Sequence, residues 1–220
     1  MTDRQLTTAA YITLGLLTSQ DWSAYQLAEQ VGRGVDQLWP RADRQRYITP
    51  KRLLEEGLVT ARTEPSGKRT RTVYSITPAG RAALAHWLSL ESRPPMLEFE
   101  GMIRVLLAEQ GTIEDLRATL ESMRRQSIAA RSLFAAHAST LAGARDTFPE
   151  RRHLLAMANR FMIGHYDHII QWSTWALEQT STWPDAASPA TGDDEQIREM
   201  LAPGLAILPE TQSADDSTRD

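Results

Sequence analysis

The stretch TARTEPSGKRTRTVYSITPAGRAAL, residues Thr60–Leu84, decides the fold that the sequence predicts. Two runs rich in Val, Thr and Tyr flank EPSGK, a pattern typical of a β-hairpin. Pro65 and Gly67 suit positions i+1 and i+3 of a type I turn. Thr77 followed by Pro78 is a favoured helix start, with Thr as N-cap and Pro at the first helical position. The tip of this predicted hairpin carries three cations, Lys68, Arg69 and Arg71.

Two helices are predicted at the start of the chain. The first covers Thr7–Leu17, where apolar residues recur at helical spacing. Ser23 and Gln26 have the spacing of a capping box, so the second begins at Ala24 and stops at Gly32. The following segment GRGVDQLWP is predicted to be a connection. The second helix is expected to bury Tyr25, Leu27, Ala28 and Val31.

The third predicted helix, Ala42–Glu56, ends at Gly57 in the C′ position and contains Pro50. Proline removes a backbone hydrogen bond and clashes with the preceding turn of a helix. One alternative is a kinked helix that continues through Pro50. The other is a shorter helix with Thr49 as N-cap and Pro50 as its first residue. Local propensity does not choose between them.

Three helices, a hairpin and a further helix, in this order, are typical of a winged helix-turn-helix. The second helix of such a motif enters the major groove of DNA, where Arg and Gln form bidentate contacts to guanine and adenine. We therefore predict Arg44 and Gln45 as base readers. The same segment supplies the further predicted DNA contacts Arg41, Arg46 and Tyr47.

The hairpin would be the wing, with Lys68, Arg69 and Arg71 on phosphates or in the minor groove. Lys51 and Arg62 are interpreted as surface residues or as further phosphate contacts. Tyr47 has a second interpretation as a core aromatic side chain. The whole basic cluster has one as an ordinary solvated face, which we disfavour because it coincides with the helix-turn-helix order.

Charge is distributed unevenly along the chain. The net charge is −4, but residues 181–220 hold nine acidic and two basic side chains, so residues 1–180 carry +3. Residues 33–72 hold ten basic and five acidic side chains. The acidic tail thus conceals a locally basic segment that suits a polyanionic partner.

The second half of the chain is predicted to be helical. Leu97–Gln110 is one segment, and Thr112 with Asp115 opens a long helix. That helix carries a 3-4 apolar spacing at Ile113, Leu116, Leu120, Met123, Ala130, Phe134 and Leu141, with Ser127 and His137 as polar members. The last long helix, Arg151–Leu177, is expected to repeat the spacing with Leu154, Ala158, Phe161, His165, His168, Trp172 and Trp175. Such seams predict dimerisation.

Two side-chain sets in this half have alternative interpretations. The aromatic and Met-rich set is either dimer core, which we favour, or the lining of a pocket for a small hydrophobic effector. It consists of Phe161, Met162, His165, Tyr166, Trp172 and Trp175. The histidines His137, His165 and His168 are either interface residues, which we favour, or a transition-metal site. We predict no bound metal and no cofactor.

Other classes of protein are disfavoured by what the sequence lacks. It contains no Cys. It has no Walker motif, nucleophile elbow or His-Glu-x-x-His pattern, so we predict that it is not an enzyme. It shows no apolar run of membrane-spanning length and no secretory signal, which predicts a cytoplasmic protein.

Three segments carry a family resemblance. YITLGLLTSQDWSAYQLAEQV looks like the first two helices of PadR-family transcriptional regulators, with their Leu-Gly-Leu-Leu and Tyr-x-Leu elements. RYITPKRLLEEGLVTA resembles the recognition helix of that family, and TVYSITPAGRAALAHWL is similar to the second wing strand and the helix after it. The resemblance covers Leu6–Leu88. The helical second half is similar to the larger, virulence-regulator-like branch.

Individual positions follow or depart from the family pattern. Tyr47 stands at the family's recognition-helix Tyr, with Arg52-Leu53, Gly57-Leu58, Tyr74 and Thr77 at further matching positions. Arg46 replaces a usual Leu and adds a further expected DNA contact. Pro50 replaces another apolar position, and Ala24 stands where Gly is usual. Because the resemblance runs through Pro50 without a gap, it favours the kinked helix.

The resemblance implies a function and a domain organisation. It implies a homodimer on an inverted-repeat DNA operator, usually a repressor that a small molecule releases. The rival class is a helical interaction module whose winged helix docks a protein. The expected domains are a winged helix-turn-helix over residues 1–92, a helical dimerisation domain over residues 93–180, and an acidic, disordered tail over residues 181–220. EQIREMLAPGLAIL is expected to form a short amphipathic helix in that tail.

Overall fold

The computed structural model describes residues 6–39, 47–67, 69–143, 149–187 and 194–207. The chain divides into two units, residues 1–95 and 96–220, each with buried apolar residues of its own. The first unit combines short helices with a small antiparallel sheet, and the second is helical. The predicted class, mainly α with a small β element in a winged helix, is confirmed.

The first unit begins with α1, Thr8–Leu17, which Thr7 caps by accepting a hydrogen bond from the backbone NH of Ala10. Leu14 and Leu17 of this helix are almost fully buried. The remaining elements before the hairpin are β1 (Trp22–Ser23), α2 (Ala24–Gln30), a π-helical turn (Val31–Val35), α3 (Asp36–Leu38) and α4 (Thr49–Glu55). The capping box of Ser23 and Gln26 at the start of α2 is confirmed.

The predicted stop at Gly32 is wrong, because the chain stays helical from α2 through α3. Val31 and Val35, four residues apart, lie on one side and contact the region of Ala9 in α1. This tertiary packing outweighs the cost of about 1 kcal/mol that a helical glycine carries. Tyr25 is 71% exposed and not buried as predicted, because it lies two positions, about 200°, from the buried Leu27.

The helix that contains Pro50 is the shorter of the two alternatives. It begins at Thr49 with Pro50 in its first turn, Ile48 takes the N-cap position, and Tyr47 and Ile48 form a turn. A continuous kinked helix, which the resemblance favours, is therefore wrong at residues 47–48. Pro50 is fully buried and sits where its missing NH leaves no helical hydrogen bond unmade.

The sheet has three strands and not two, in the order β1-β3-β2, with β2 at Val59–Ser66 and β3 at Arg69–Ile76. All pairs are antiparallel, and Trp22 of β1 lies opposite Tyr74 of β3. The predicted type I turn is wrong. Pro65 is paired with Thr70 inside the ladder, and Gly67 has a positive φ of 61°. Strand β2 lies at the sheet edge, where proline is tolerated.

Helix α5, Pro78–Ser89, follows β3 directly and begins as predicted, with Thr77 accepting from the NH of Gly80. A side chain at Gly80 would place its Cβ 2.2 Å from the carbonyl oxygen of Leu58. At the other end of α5, Trp87 stacks on Tyr11 of α1 with ring centroids 4.6 Å apart. Helix α5 thus fastens the base of the wing to the first helix.

The second unit is built on two long helices that follow a shorter one. Its elements are α6 (Glu100–Leu106), a 3-10 turn (Ala108–Gln110), α7 (Ile113–Ala142), a 3-10 turn (Pro149–Arg151), α8 (Arg152–Thr180) and α9 (Asp194–Leu205). The predicted single segment 97–110 is therefore interrupted. The predicted capping box of Thr112 and Asp115 is confirmed.

Helices α7 and α8 pack as an antiparallel pair, and the seam predicted on α7 is confirmed at its buried members Ile113, Leu116, Leu120, Met123, Ser127 and Phe134. The seam predicted on α8 is wrong by one residue. The side chains that are buried or partly buried at 3-4 spacing are Leu155, Asn159, Met162, Tyr166, Ile169, Ser173, Ala176 and Thr180. Because Asn159, Ser173 and Thr180 in this stripe are polar, the spacing of apolar residues in the sequence does not reveal it.

Hydrogen bonds explain why polar residues are accepted in this seam. Ser173 donates to the carbonyl of Ile169 in its own helix. Asn159 donates across the pair to the carbonyl of Phe134 over 2.9 Å. Arg131 and Asp167 add an ion pair of 2.7 Å between the helices. The buried polar atoms are thereby satisfied, as a helix interface requires.

The tail of the chain contains α9, Asp194–Leu205, which confirms the short helix predicted there. Its apolar residues Ile197, Leu201 and Leu205 recur at intervals of four and are exposed. Disorder over the rest of residues 181–220 stays a prediction. Within the part of the chain that the structure describes, no helix has the length and apolar character needed to span a membrane.

Candidate nucleic-acid interface

The α4 helix and the turn before it form one part of the predicted DNA surface. Thr49, Pro50 and Leu53 face the core, so the opposite side of the helix is presented to solvent. On that side Lys51 is exposed, and Tyr47 is 53% exposed. The exposure of Tyr47 disfavours its interpretation as a core residue.

The end of α4 fixes where the wing begins. Gly57 has φ of 71°, its NH donates to Leu54, and the NH of Leu58 donates to Leu53 over 2.9 Å. These two bonds form the Schellman motif that glycine permits at C′. Thr77, at the far end of the hairpin, donates to the carbonyl of Gly57 over 3.0 Å. Both ends of the hairpin are thus held next to Gly57, at the C-terminal end of α4.

Several predicted contacts lie outside the described residues and stay predictions: Arg41, Arg44, Gln45, Arg46 and Lys68. Arg69 is placed only by its backbone, opposite Ser66 at the end of the β-ladder. Of the predicted wing cations, the structure describes the side chain of Arg71.

The wing carries a row of alternating charges that we call the wing ladder: Asp21, Arg62, Glu64 and Arg71. Arg71 donates to one oxygen of Glu64 over 3.0 Å, and Arg62 donates to the other over 2.9 Å. The Arg62 guanidinium also binds Asp21, next to β1, and the hydroxyl of Ser75. These side chains are 29–50% exposed, so each pair is accessible to solvent and salt.

The ladder shifts the ionisation of its two acids. Hydrogen bonds from Arg71 and then Arg62 hold the pKa of Glu64 below its usual value. The hydrogen bond from Arg62 and that from Ser75 do the same for Asp21. Both carboxylates are therefore charged at neutral pH and throughout mild acidification.

Sequence reasoning missed the ladder. Arg62 and Glu64 are two apart in a strand and must share a face, and the hairpin register then places Arg71 opposite Glu64. This part could have been found from the sequence. The role of Asp21 could not, because it depends on the unpredicted strand β1. Arg62 is accordingly an ion-paired residue and not a solitary surface cation.

In the second unit, the six aromatic, Met and His side chains predicted as effector pocket or dimer core do not share one environment. Met162 is 3% exposed in the α7–α8 seam, and Trp172 packs against the core around Ile113 and Leu120. Phe161 is 64% exposed and stacks on His165. The remaining two members contact aromatic neighbours: Tyr166 with Phe134 and Trp175 with Trp172.

The off-register seam leaves an exposed apolar stripe on α8. Leu154, Met157, Phe161 and Trp175 are 56%, 69%, 64% and 39% exposed. Their spacings of three, four and fourteen residues place them on one side of the helix. Exposed apolar side chains on one side of a helix suit burial against a partner.

The histidines are dispersed over this hairpin. His137 makes an edge contact with Phe134, and His165 stacks on Phe161. Among the residues that the structure describes, no group of three His, Cys, Asp or Glu side chains could hold a metal ion. Both rings contact aromatic side chains of the α7–α8 pair.

Two concavities lie away from the predicted pocket residues. One of about 140 Å³ lies between the start of α1 and α4 and includes Leu6, Ala10 and Arg52. The other, an open groove of about 600 Å³, lies between the end of α7 and the start of α8 and includes Arg152, His153 and Arg160. The predicted effector residues line neither of these two.

Comparison with known proteins finds a similarity within the first unit. The model of the transcriptional regulator PadR-like family matches residues 13–86. The negative transcriptional regulator PadR of Bacillus subtilis (strain 168) is 33% identical over 79 residues, which cover 36% of this chain and 43% of that protein. The match thus spans less than half the length of this curated relative. The family and the relative are transcriptional regulators, which are not enzymes.

The fold is also shared with solved structures over most of the chain. Bacillus subtilis PadR in complex with operator DNA has a TM-score of 0.67 at 19% identity, covering 79% of this chain and 99% of that one. The same protein in complex with p-coumaric acid has a TM-score of 0.63 at 20% identity, covering 80% and 99%. The likeness extends beyond residues 13–86 and includes helices of the second unit.

Proposed function

This chain carries a PadR-like domain, and we propose that it is a DNA-binding transcriptional regulator that acts as a homodimer on an inverted-repeat operator. The observation that carries the proposal is the winged helix itself. Helices α1 to α4 come before the hairpin of β2 and β3, and Thr77 at the end of that hairpin is hydrogen-bonded to Gly57 at the end of α4. The relative named PadR was crystallised with operator DNA, which gives the proposed partner.

The residues proposed for DNA contact divide into two groups. Arg44 and Gln45 read bases, with Arg41, Arg46 and Tyr47 beside them, because Arg and Gln match the edges of guanine and adenine. Lys51, Lys68, Arg69 and Arg71 bind phosphates and fix the register of the protein on the duplex. Lys51 and Tyr47 are both exposed and are therefore accessible to DNA.

Dimerisation is supported by the exposed stripe of Leu154, Met157, Phe161 and Trp175 on α8. Helix α6 adds Ile103 and Leu106, which are 54% and 68% exposed. Burying such side chains removes about 25 cal/mol of unfavourable free energy per Å² of apolar surface. A two-fold dimer would set two recognition helices about 34 Å apart, one turn of DNA.

Release by a small effector and repression are the finer parts of the proposal. The complex of Bacillus subtilis PadR with p-coumaric acid supports a small effector. The relative PadR is a negative transcriptional regulator, which supports repression. The aromatic set around Phe161, His165 and Trp172 offers flat surfaces for such a ligand. In a dimer these side chains would lie at or near the interface, so dimer core and effector pocket are compatible roles.

A gel-shift assay on the DNA upstream of its own gene, at several salt concentrations, tests the proposal. DNA binding should weaken steeply as salt rises, because cations on phosphates release counterions. A winged helix that docks a protein would give no shift even at low salt, with or without residues 181–220. That result would contradict the proposal and favour the protein-interaction alternative.

A further inference from the structure

We propose that Glu64 is a built-in counter-ion of the wing, which holds the Arg71 guanidinium and so lowers affinity for DNA of any sequence. The inference rests on the proposed function, since it concerns how the wing meets phosphate. The DNA contacts proposed on the wing are all cations, and the inference adds a role for an acidic residue beside them.

The geometry places Glu64 between two guanidinium groups. One carboxylate oxygen accepts from Arg71 over 3.0 Å and the other accepts from Arg62 over 2.9 Å. Arg62 is held in turn by Asp21. Glu64 therefore occupies one donor nitrogen of Arg71, Nη2, that a phosphate oxygen would otherwise use. It cannot turn toward solvent without breaking both bonds.

The charge of the ladder leads to the same conclusion. Its two acids balance its two arginines, so these four residues together contribute no net attraction to a polyanion. The low pKa of Glu64, caused first by the hydrogen bond from Arg71, keeps the carboxylate charged at neutral pH. A phosphate that approaches Arg71 consequently meets a fixed negative charge beside it.

The ion pair between Arg71 and Glu64 is nevertheless open to solvent and to a competing phosphate. The side chains of Arg71 and Glu64 are 45% and 29% exposed, and exposed ion pairs are weak because water and salt screen them. Phosphate can therefore replace Glu64 on Arg71, at a cost that falls equally on every sequence because the wing binds the backbone of the duplex. Glu64 thus restrains sequence-independent binding.

Glu64→Gln tests the inference in the full-length protein, since it keeps the shape of the side chain and removes its charge. The probe is a fluorescent duplex of mixed sequence, with affinity measured by anisotropy over a range of salt. We expect about fivefold tighter binding at low salt and a salt slope steeper by about one phosphate contact. Glu178 is exposed on α8 in the second unit. Glu178→Gln gives the matched change in net charge and should leave the affinity unchanged.

A double-mutant cycle with Arg71→Gln separates a specific role from a general charge effect. If Glu64 acts through Arg71, the gain disappears in the protein that carries both substitutions. Glu64→Thr, which suits a strand, serves as a second variant, and circular dichroism establishes that each variant folds.

Three results would overturn the inference while leaving the proposed function intact, provided that the wild-type protein binds DNA. Glu64→Gln could match Glu178→Gln, it could bind more weakly, or its gain could survive the removal of Arg71. If neither the wild type nor Glu64→Gln binds any duplex at low salt, the proposed function fails and the inference fails with it.

Discussion

The outer face of the wing and the seam of the α7–α8 pair are ordered by different interactions. The wing is a narrow sheet whose outer face is ordered by exposed ion pairs between Asp21, Arg62, Glu64 and Arg71. The helix pair is ordered by a buried apolar seam in which Leu120 is 1% exposed. Exposed pairs are weak and salt-sensitive, whereas apolar burial is neither. The first surface suits a partner that is exchanged, and the second suits a permanent scaffold.

The wing and the helix pair also differ in the surfaces that they expose to partners. The wing offers charged side chains that a polyanion can rearrange. Helix α8 offers the exposed apolar stripe of Leu154, Met157, Phe161 and Trp175, which a second copy of the chain would cover. Salt should therefore weaken DNA binding much more than dimerisation.

The largest effect is expected at the base of the wing. Gly80→Ala would place a Cβ 2.2 Å from the backbone oxygen of Leu58, which must move. We expect the free energy of unfolding of the first unit to fall by about 3 kcal/mol or more, measured by urea denaturation. Gly15→Ala is the matched control in α1, since no atom lies within 4 Å of its added Cβ. Equal stability of the two variants would contradict the close approach.

The exposed stripe on α8 gives the next largest effect. Phe161→Glu adds a charge to the surface that we propose is buried between copies, so the dimer should dissociate at least about thirtyfold more readily. Sedimentation equilibrium measures this change. Glu178→Gln is a control on the same helix. A dimer that is unaffected by Phe161→Glu would place the interface elsewhere.

Substitutions of the predicted base readers and of the predicted phosphate contacts should have different effects on DNA binding. Arg44→Ala should relax sequence preference, with a loss of about 1–3 kcal/mol on the preferred sequence. Lys68→Ala should weaken all sequences alike and reduce the salt slope by about one. Titrations on preferred and mixed-sequence duplexes distinguish the two. Identical behaviour of the two variants would show that the division between base and phosphate contacts is wrong.

The smallest effect concerns the capping box of α7. Thr112→Ala removes the side-chain acceptor for the backbone NH of Asp115 and should lower the stability of the second unit by about 1 kcal/mol. Hydrogen bonds from Thr112 hold the pKa of Asp115 below its usual value. Asp115 therefore stabilises the fold above its unfolded pKa, and this contribution is lost as pH falls through the lower folded value.

Thermal melts between neutral and strongly acidic pH test this coupling. The difference between wild type and Thr112→Ala should shrink as the solution is acidified, because Asp115 becomes protonated in both proteins. A difference that grows on acidification would contradict the sign of the pKa shift.

Much of the fold followed from local patterns. Caps at Thr7, Ser23, Thr77 and Thr112 and the glycine stop at Gly57 were predictable because each depends on residues within one turn. Strand β1 was not, because two residues carry no periodicity and pair only through β3. The register of α8 was missed because the buried Ser173 and Thr180 are polar, while the exposed stripe is aromatic.

The candidate site was predictable in a more limited sense. Cations on the wing follow from composition, and the face shared by Arg62 and Glu64 follows from strand geometry. The pairing of Arg62 with Asp21 required the sheet, since Asp21 is distant in sequence and lies next to the unpredicted strand β1. The choice between kinked and shortened helix at Pro50 required the structure, because both satisfy the constraints of proline.

Footprinting on the DNA upstream of its own gene tests the central claim most directly. A homodimeric winged-helix regulator should protect two inverted half-sites whose centres lie about one helical turn apart, near 34 Å. Protection should disappear on raising the salt. A folded protein that protects no site at low salt, or a single half-site without two-fold symmetry, would contradict the account.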